Sequence, residues 1–218
     1  MPVIEGEQLR TALLAGCRVI ENHKDRLCAI DGETGDGDHG ISMTIGARAI
    51  ARALKSLPAK PSPGEVFQAA SDAFADDVGA TIGPIYESAF AAAAGVAAQQ
   101  TSLDSCVVWA DILHAMGDAI SQAGGAKRGD KTLLDALLPA ADYLASASNR
   151  QDPSIHTALL EAGSTALAAA EATRDMVASK GRASRLGARS AGHPDAGATS
   201  FALLLDAMAR SLAGKATG

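Results

Sequence analysis

Residues 31–42 read DGETGDGDHGIS, and the fold of the chain turns on how this stretch is understood. Gly35, Gly37 and Gly40 carry the G-x-G-x-x-G spacing of a phosphate cradle, which in a dinucleotide fold lies between a strand and a helix. The same stretch holds Asp31, Asp36 and Asp38. In a direct cradle these carboxylates face a pyrophosphate with nothing to offset them. Each such contact costs roughly 3 kcal/mol at ~5 Å and an effective dielectric of ~20. The residues upstream have helical character and no strand signal. The strand–loop–helix reading fails, and an α/β fold fails with it.

Helical character extends along the whole chain. Aromatic residues make up only 3% of it and alanine is abundant throughout, a balance that disfavours strands and lets helices pack closely. The boundaries carry helix-start chemistry. In SPGEVF, Ser62 is a candidate N-cap, Pro63 takes the first helical position and Glu65 completes a capping box. Asp152 and Pro153 repeat the pattern. Eight helices are predicted, near 5–28, 40–56, 63–78, 84–99, 104–123, 132–147, 153–180 and 197–213. In the second, Met43, Ala47, Ile50 and Leu54 share one face. No linker or repeat divides the sequence, so the expectation is one all-α domain spanning 1–218.

Size and charge narrow the function classes. The 218 residues suffice for one sizeable core. A net charge of −6 argues against a nucleic-acid surface. Cys17, Cys28 and Cys106 show no metal-ligand spacing and suit reduced thiols. The opening MPVIEGEQLR lacks the basic and apolar regions of a signal peptide, and no apolar run approaches the ~20 residues that span a bilayer. The expectation is a cytoplasmic protein with no nucleic-acid or membrane partner.

Four glycine-bearing segments separate the predicted helices: 31–42, VGATIGPIY (78–86), GGAKRGDKTLLD (124–135) and KGRASRLGARSAGHPDAGATS (180–200). They follow helices one, three, five and seven. In an up-and-down arrangement alternate connections emerge at the same end, so the four can build one site. An EF-hand starting at Asp31 would put Asp36 at the glycine position and Ser42 at the closing glutamate. One starting at Asp36 would put Ile41 and Ala47 there. A Walker loop is broken where Asp130 separates Gly129 from Lys131. The chemistry that remains for D-x4-D-x-D is a divalent cation, through which the aspartates attract a phosphate group instead of repelling it. His39 and the amides after it, opening the second helix, can donate to phosphate oxygens. The bland alternative for aspartates in such a loop is turn and cap chemistry.

The blocks GDGDHG, GPIY, GDKTLLDAL and KGRASRLGARSAGHPDAGATS resemble the nucleotide-binding (L) subunit of dihydroxyacetone kinases, in the same order and over nearly the whole chain. The resemblance implies an eight-helix antiparallel barrel with ADP or ATP and two Mg²⁺ ions at one end. It implies a phosphotransferase acting on an alcohol, active only with a separate substrate-binding kinase subunit that holds the ketose. In one form of the family ATP is consumed. In another, ADP stays bound and is rephosphorylated by a phosphotransferase-system protein. By position, Asp31, Asp36 and Asp38 match the metal ligands. His39, Gly40, Ile41 and Ser42 match the phosphate-contacting segment. Gly124 and Leu133 match the adenine pocket, Arg182 an arginine of the nucleotide site, and Pro194, Asp195 and Ala196 a nucleotide-contacting turn. No residue matches a covalent nucleophile or a general base.

Three positions depart from the family pattern. Ser42 stands where asparagine is usual, and Ala196 where proline is usual. Ile82 in GATIGP takes the place of a phosphate-contacting serine, leaving Thr81 as the nearest hydroxyl. Erythrulose or another short ketose is therefore the alternative substrate. The alternative from another class is a non-enzymatic helical domain whose aspartate loop binds Ca²⁺. Lys131 and Asp130 read as an ion pair or loop-fixing contacts, and His23, His114 and His156 as ordinary helix residues.

Overall fold

A computed structural model describes residues 3–79, 81–149 and 154–215. Among these residues it contains nine α-helices and no strand: α1 (Gly6–Asn22), α2 (Lys24–Gly32), α3 (His39–Ser56), α4 (Pro63–Asp77), α5 (Ile82–Ala97), α6 (Cys106–Gly124), α7 (Leu134–Ala147), α8 (Ile155–Ala172) and α9 (Ala196–Leu212). They are the eight expected helices with the first broken in two. From α3 onward each helix packs against the next, α1 packs against α3, and α9 returns to α1. The all-α barrel is therefore closed, with α2 riding outside on α3.

The predicted caps form. Ser62 Oγ accepts from the Glu65 amide at 3.3 Å, and the Glu65 carboxylate accepts from the Ser62 amide at 2.7 Å, with Pro63 opening α4. The helix start predicted at Asp152 and Pro153 lies outside the described residues.

Inside the ring, Phe67, Phe74, Tyr86, Phe90 and Trp109 are buried, and the Phe74 and Tyr86 rings stack with centroids 4.9 Å apart. Each of these side chains is expected to contribute a few kcal/mol through removal of apolar area from water. Elsewhere the wall is largely alanine, which lets the helices approach one another closely. No helix among the described residues is long and apolar enough to cross a membrane.

Two predicted boundaries are corrected. The helix expected over 5–28 breaks at His23, whose ring Nδ1 lies 2.8 Å from the Val19 carbonyl, and then resumes as far as Gly32. Asp31 thus belongs to the last turn of α2. The helix expected over 153–180 ends at Ala172, followed by a 3-10 turn at Thr173–Asp175. It stops where long-range bonds take over the backbone: the Thr173 hydroxyl accepts from the Asp195 amide at 2.8 Å, and the Met176 carbonyl accepts from Lys131. The freed segment runs as far as α9 and contains a 3-10 stretch, Arg182–Ser190, kinked at Gly187.

Candidate nucleotide and metal site

The connections after α2, α4, α6 and α8 meet at one end of the barrel around a cavity of about 230 Å³. Of the residues singled out from the sequence, Asp31, Asp38, His39, Ser42, Thr81, Ile82, Leu133, Arg182, Asp195 and Ala196 line it. α3, α5, α7 and α9 all begin at this cavity, because in an antiparallel ring every second helix starts at the same end. Their dipoles, and the first-turn amides not taken up by capping, give the floor of the cavity a positive potential suited to an anion.

The carboxylates gather at the mouth. One oxygen from each of Asp31, Asp36 and Asp38 lies within 4.8 Å of the others, close enough to share a hard cation. The backbone is shaped to allow this. A Cβ at Gly35 would lie 2.6 Å from Asp31 Oδ1, so any larger residue would displace that carboxylate. Gly37 has φ +76°, the left-handed turn that brings Asp36 and Asp38 round to the same side. Asp31 Oδ2 also accepts from the His39 amide at 3.3 Å, tying the cluster to the start of α3. Arg182 pairs with Asp36 and, at 3.2 Å, with Asp38. These ion pairs account for its position.

Behind the mouth, His39 and Asp195 meet groups that the sequence reading did not identify. His39 Nε2 is 2.9 Å from Ser200 Oγ, which itself donates to the Gly197 carbonyl at 3.0 Å. The serine hydroxyl thus accepts from His39, which places the imidazole proton on Nε2 and leaves Nδ1 as an acceptor. Burial holds His39 below its ordinary value, against the pull of Asp31. Asp195 caps α9 by accepting from the Ala198 amide at 2.7 Å, and burial pushes its carboxyl up to about 6. Lys131, Lys180, Thr132 and Ile85 also line the wall. Ser200 had no local signal, since only tertiary packing brings it to His39. Lys180 lay in a segment already marked by its glycines.

Gly40, Ile41, Gly124 and Pro194 stand off the wall. Gly40 is buried against α2, where its Cα passes beside the Lys24 carbonyl. Ile41 faces outward at 48% exposure. Gly124 reaches the cavity only through Ile85, and Pro194 does not line it. Asp130 and Lys131 do not form an ion pair. Asp130 accepts from Ser179 Oγ at 2.5 Å and from the Lys127 amide at 2.9 Å, contacts that hold its carboxyl below the usual range. Lys131 donates to backbone carbonyls. His23 is a helix break, and His114 lies 3.3 Å from Asp142 on the surface. His156 is a buried helix residue whose ring nitrogens have no hydrogen-bond partner among the described residues.

The chain is similar to the L-erythrulose 1-kinase of Mycolicibacterium smegmatis, 37% identical over 196 residues that cover 89% of this chain and 34% of that enzyme. It therefore spans about a third of the length of the erythrulose kinases it matches. It is also similar to the ADP-binding subunit DhaL of the PEP-dependent dihydroxyacetone kinase of Escherichia coli, 32% identical over 88% of this chain and 90% of that subunit. Among solved structures, the C. freundii dihydroxyacetone kinase in complex with AMP-PNP and Mg²⁺ superposes with a TM-score of 0.68 at 24% identity, over 93% of this chain and 33% of that one. That likeness establishes the barrel. The sequence profile of the DAK2 domain covers residues 33–210, from the aspartate loop to the last turns of α9, and the chain belongs to that family.

Proposed function

We propose that this chain, as a single DAK2 domain over residues 1–218, is the nucleotide-binding part of a short-chain ketose kinase. The observation that carries the reading is the meeting of three aspartate carboxylates with four helix N-termini at one cavity. The carboxylates suit cations and the N-termini suit phosphates, and magnesium nucleotide presents both. The M. smegmatis relatives are named erythrulose kinases and the E. coli relative an ADP-binding subunit. The C. freundii kinase is described with AMP-PNP and Mg²⁺. All fit the same reading.

In this reading Asp31, Asp36 and Asp38 hold two Mg²⁺ ions. When bound, these ions offset the roughly −4 charge of ATP and the −3 of the aspartates across the transferred group. The opening turn of α3, at His39, Gly40, Ile41 and Ser42, contacts phosphate oxygens. That of α9, at Ala196, does the same, next to Pro194 and Asp195. Thr81 and Ile82 flank the phosphates at the start of α5, where Ile82 excludes water and supplies no hydroxyl. Leu133 and Ile85, with Gly124 behind them, form the apolar edge for adenine. Arg182 steadies the phosphate charge. The chain's own contribution is positioning and charge neutralisation, with no covalent nucleophile. The ketose is held by a separate substrate-binding kinase subunit or domain. The phosphoryl group comes either from ATP or from a phosphotransferase-system protein that recharges bound ADP.

Identities of 36–38% to erythrulose kinases, against 32% to dihydroxyacetone kinase subunits, favour a four-carbon ketose as acceptor. A thermal-shift titration with ADP, with and without Mg²⁺, tests the nucleotide reading. The melting temperature should rise with ADP only when Mg²⁺ is present, and Asp36→Ala or Asp38→Ala should abolish the rise. A metal-dependent rise indifferent to ADP would instead indicate a structural cation site.

A further inference from the structure

Lys131 is only 2% exposed, yet among the described residues no carboxylate lies within ion-pair distance of it. Its Nζ donates to three carbonyls, those of Met176 at 3.2 Å, His193 at 2.7 Å and Ser190. All three donors of the ammonium are thereby used, a convergence that a planar guanidinium cannot match and an apolar side chain cannot supply. Lys131 also has φ +62°, alone among the described non-glycine residues in being positive. Such a conformation persists where the surroundings impose it. They do so here: the Asp135 carboxylate accepts from the Gly129 amide at 2.5 Å and from the Thr132 amide at 2.8 Å, clamping the turn on both sides of Lys131.

The three carbonyls lie in the segment between α8 and α9, which carries Arg182 and has no regular helix ladder of its own. We propose that Lys131 is a positioning residue for phosphate recognition, tying residues 176–193 to the α6–α7 connection and so setting Arg182 against Asp36 and Asp38 at the cavity mouth. The proposal rests on the nucleotide reading above for its ligand. Its geometry rests on the carbonyl contacts alone. A lysine with only a structural role would affect stability and leave the difference between phosphorylated and unphosphorylated ligands unchanged.

The test is calorimetric titration of the full chain with ADP in Mg²⁺ and, separately, with adenosine. Lys131→Met should weaken ADP binding by about tenfold or more, as Arg182→Ala should, the scale expected for losing a charge-assisted phosphate contact. Adenosine binding should stay within about twofold. In the Arg182→Ala background, Lys131→Met should cost less than about twofold more, since two residues acting through one contact are not additive. Unchanged ADP affinity in Lys131→Met, or losses that add in the double variant, would overturn the proposal. If the unaltered protein binds no ADP, the nucleotide reading fails, and amide hydrogen exchange then decides the inference. Lys131→Met should deprotect the amides of Ala178 and Gly192, which are bonded within the α8–α9 connection, and of Ser179, which donates to the Asp130 carbonyl across to the α6–α7 connection, and unchanged protection would sink it. Lys131→Gln, which keeps two donors, replaces the methionine variant should that fail to fold.

Discussion

Asp195 combines two demands on one side chain. Its carboxylate must accept the Ala198 amide to start α9, and it must do so on the wall of a cavity already crowded with acid groups. Burial raises its carboxyl to about 6, the Asp135 and Asp31 charges add to the rise, and the Ala198 amide and Lys131 oppose it. The folded chain therefore holds a proton between about pH 4 and 6 that the unfolded chain has released. The stability linked to that proton is present below the unfolded value and is lost as pH rises through 6. In EDTA, urea unfolding should show the parent protein losing on the order of 2–3 kcal/mol relative to Asp195→Asn between pH 4 and 7. Parallel pH profiles for the two proteins would refute the assignment.

At the scale of elements, the site depends on how closely α2 and α3 cross. Replacing glycine by alanine inside a helix ordinarily stabilises it, by roughly 0.5–1 kcal/mol. Gly40 should behave in the opposite way. A Cβ there would lie 2.1 Å from the Lys24 carbonyl oxygen and 2.9 Å from the Cys28 amide nitrogen, both backbone atoms that cannot turn aside. Gly40→Ala should destabilise the protein by about 1–3 kcal/mol in urea unfolding, as overpacking does, and a gain in stability would contradict the crossing. Helix starts were legible in the sequence because their chemistry is local: Ser62, Pro63 and Glu65 lie within four residues of one another. The end of α8 was not legible. Residues 173–180 lack a stop signal strong enough to read, and the helix ends there because the Asp195 amide and the Lys131 ammonium, distant in sequence, engage the Thr173 hydroxyl and the Met176 carbonyl. The break at His23 was missed for a similar reason, since α2 swings out to lie on α3.

At the scale of the molecule, a closed ring of helices leaves its chemistry to the loops at one end. The four glycine-bearing connections were legible from composition and alternation, and so was the convergence of the acidic trio. The position of Ser200 behind His39, and the outward turn of Ile41, depend on packing that no local pattern encodes. On the proposed reading, nucleotide and metal take up the cavity of about 230 Å³ and the ketose is held by a partner. The purified chain should therefore leave dihydroxyacetone and erythrulose unphosphorylated until a substrate-binding partner is added, as a coupled assay of product formation would show. Turnover by the chain alone would end that division of labour. The most direct measurement of the metal site is anomalous diffraction from crystals grown with ADP and Mn²⁺ in place of Mg²⁺. The predicted result is a manganese peak bounded by carboxylate oxygens of Asp31, Asp36 and Asp38, with nucleotide phosphates on its other side. A peak elsewhere, or ADP lodged away from these three side chains, would contradict it.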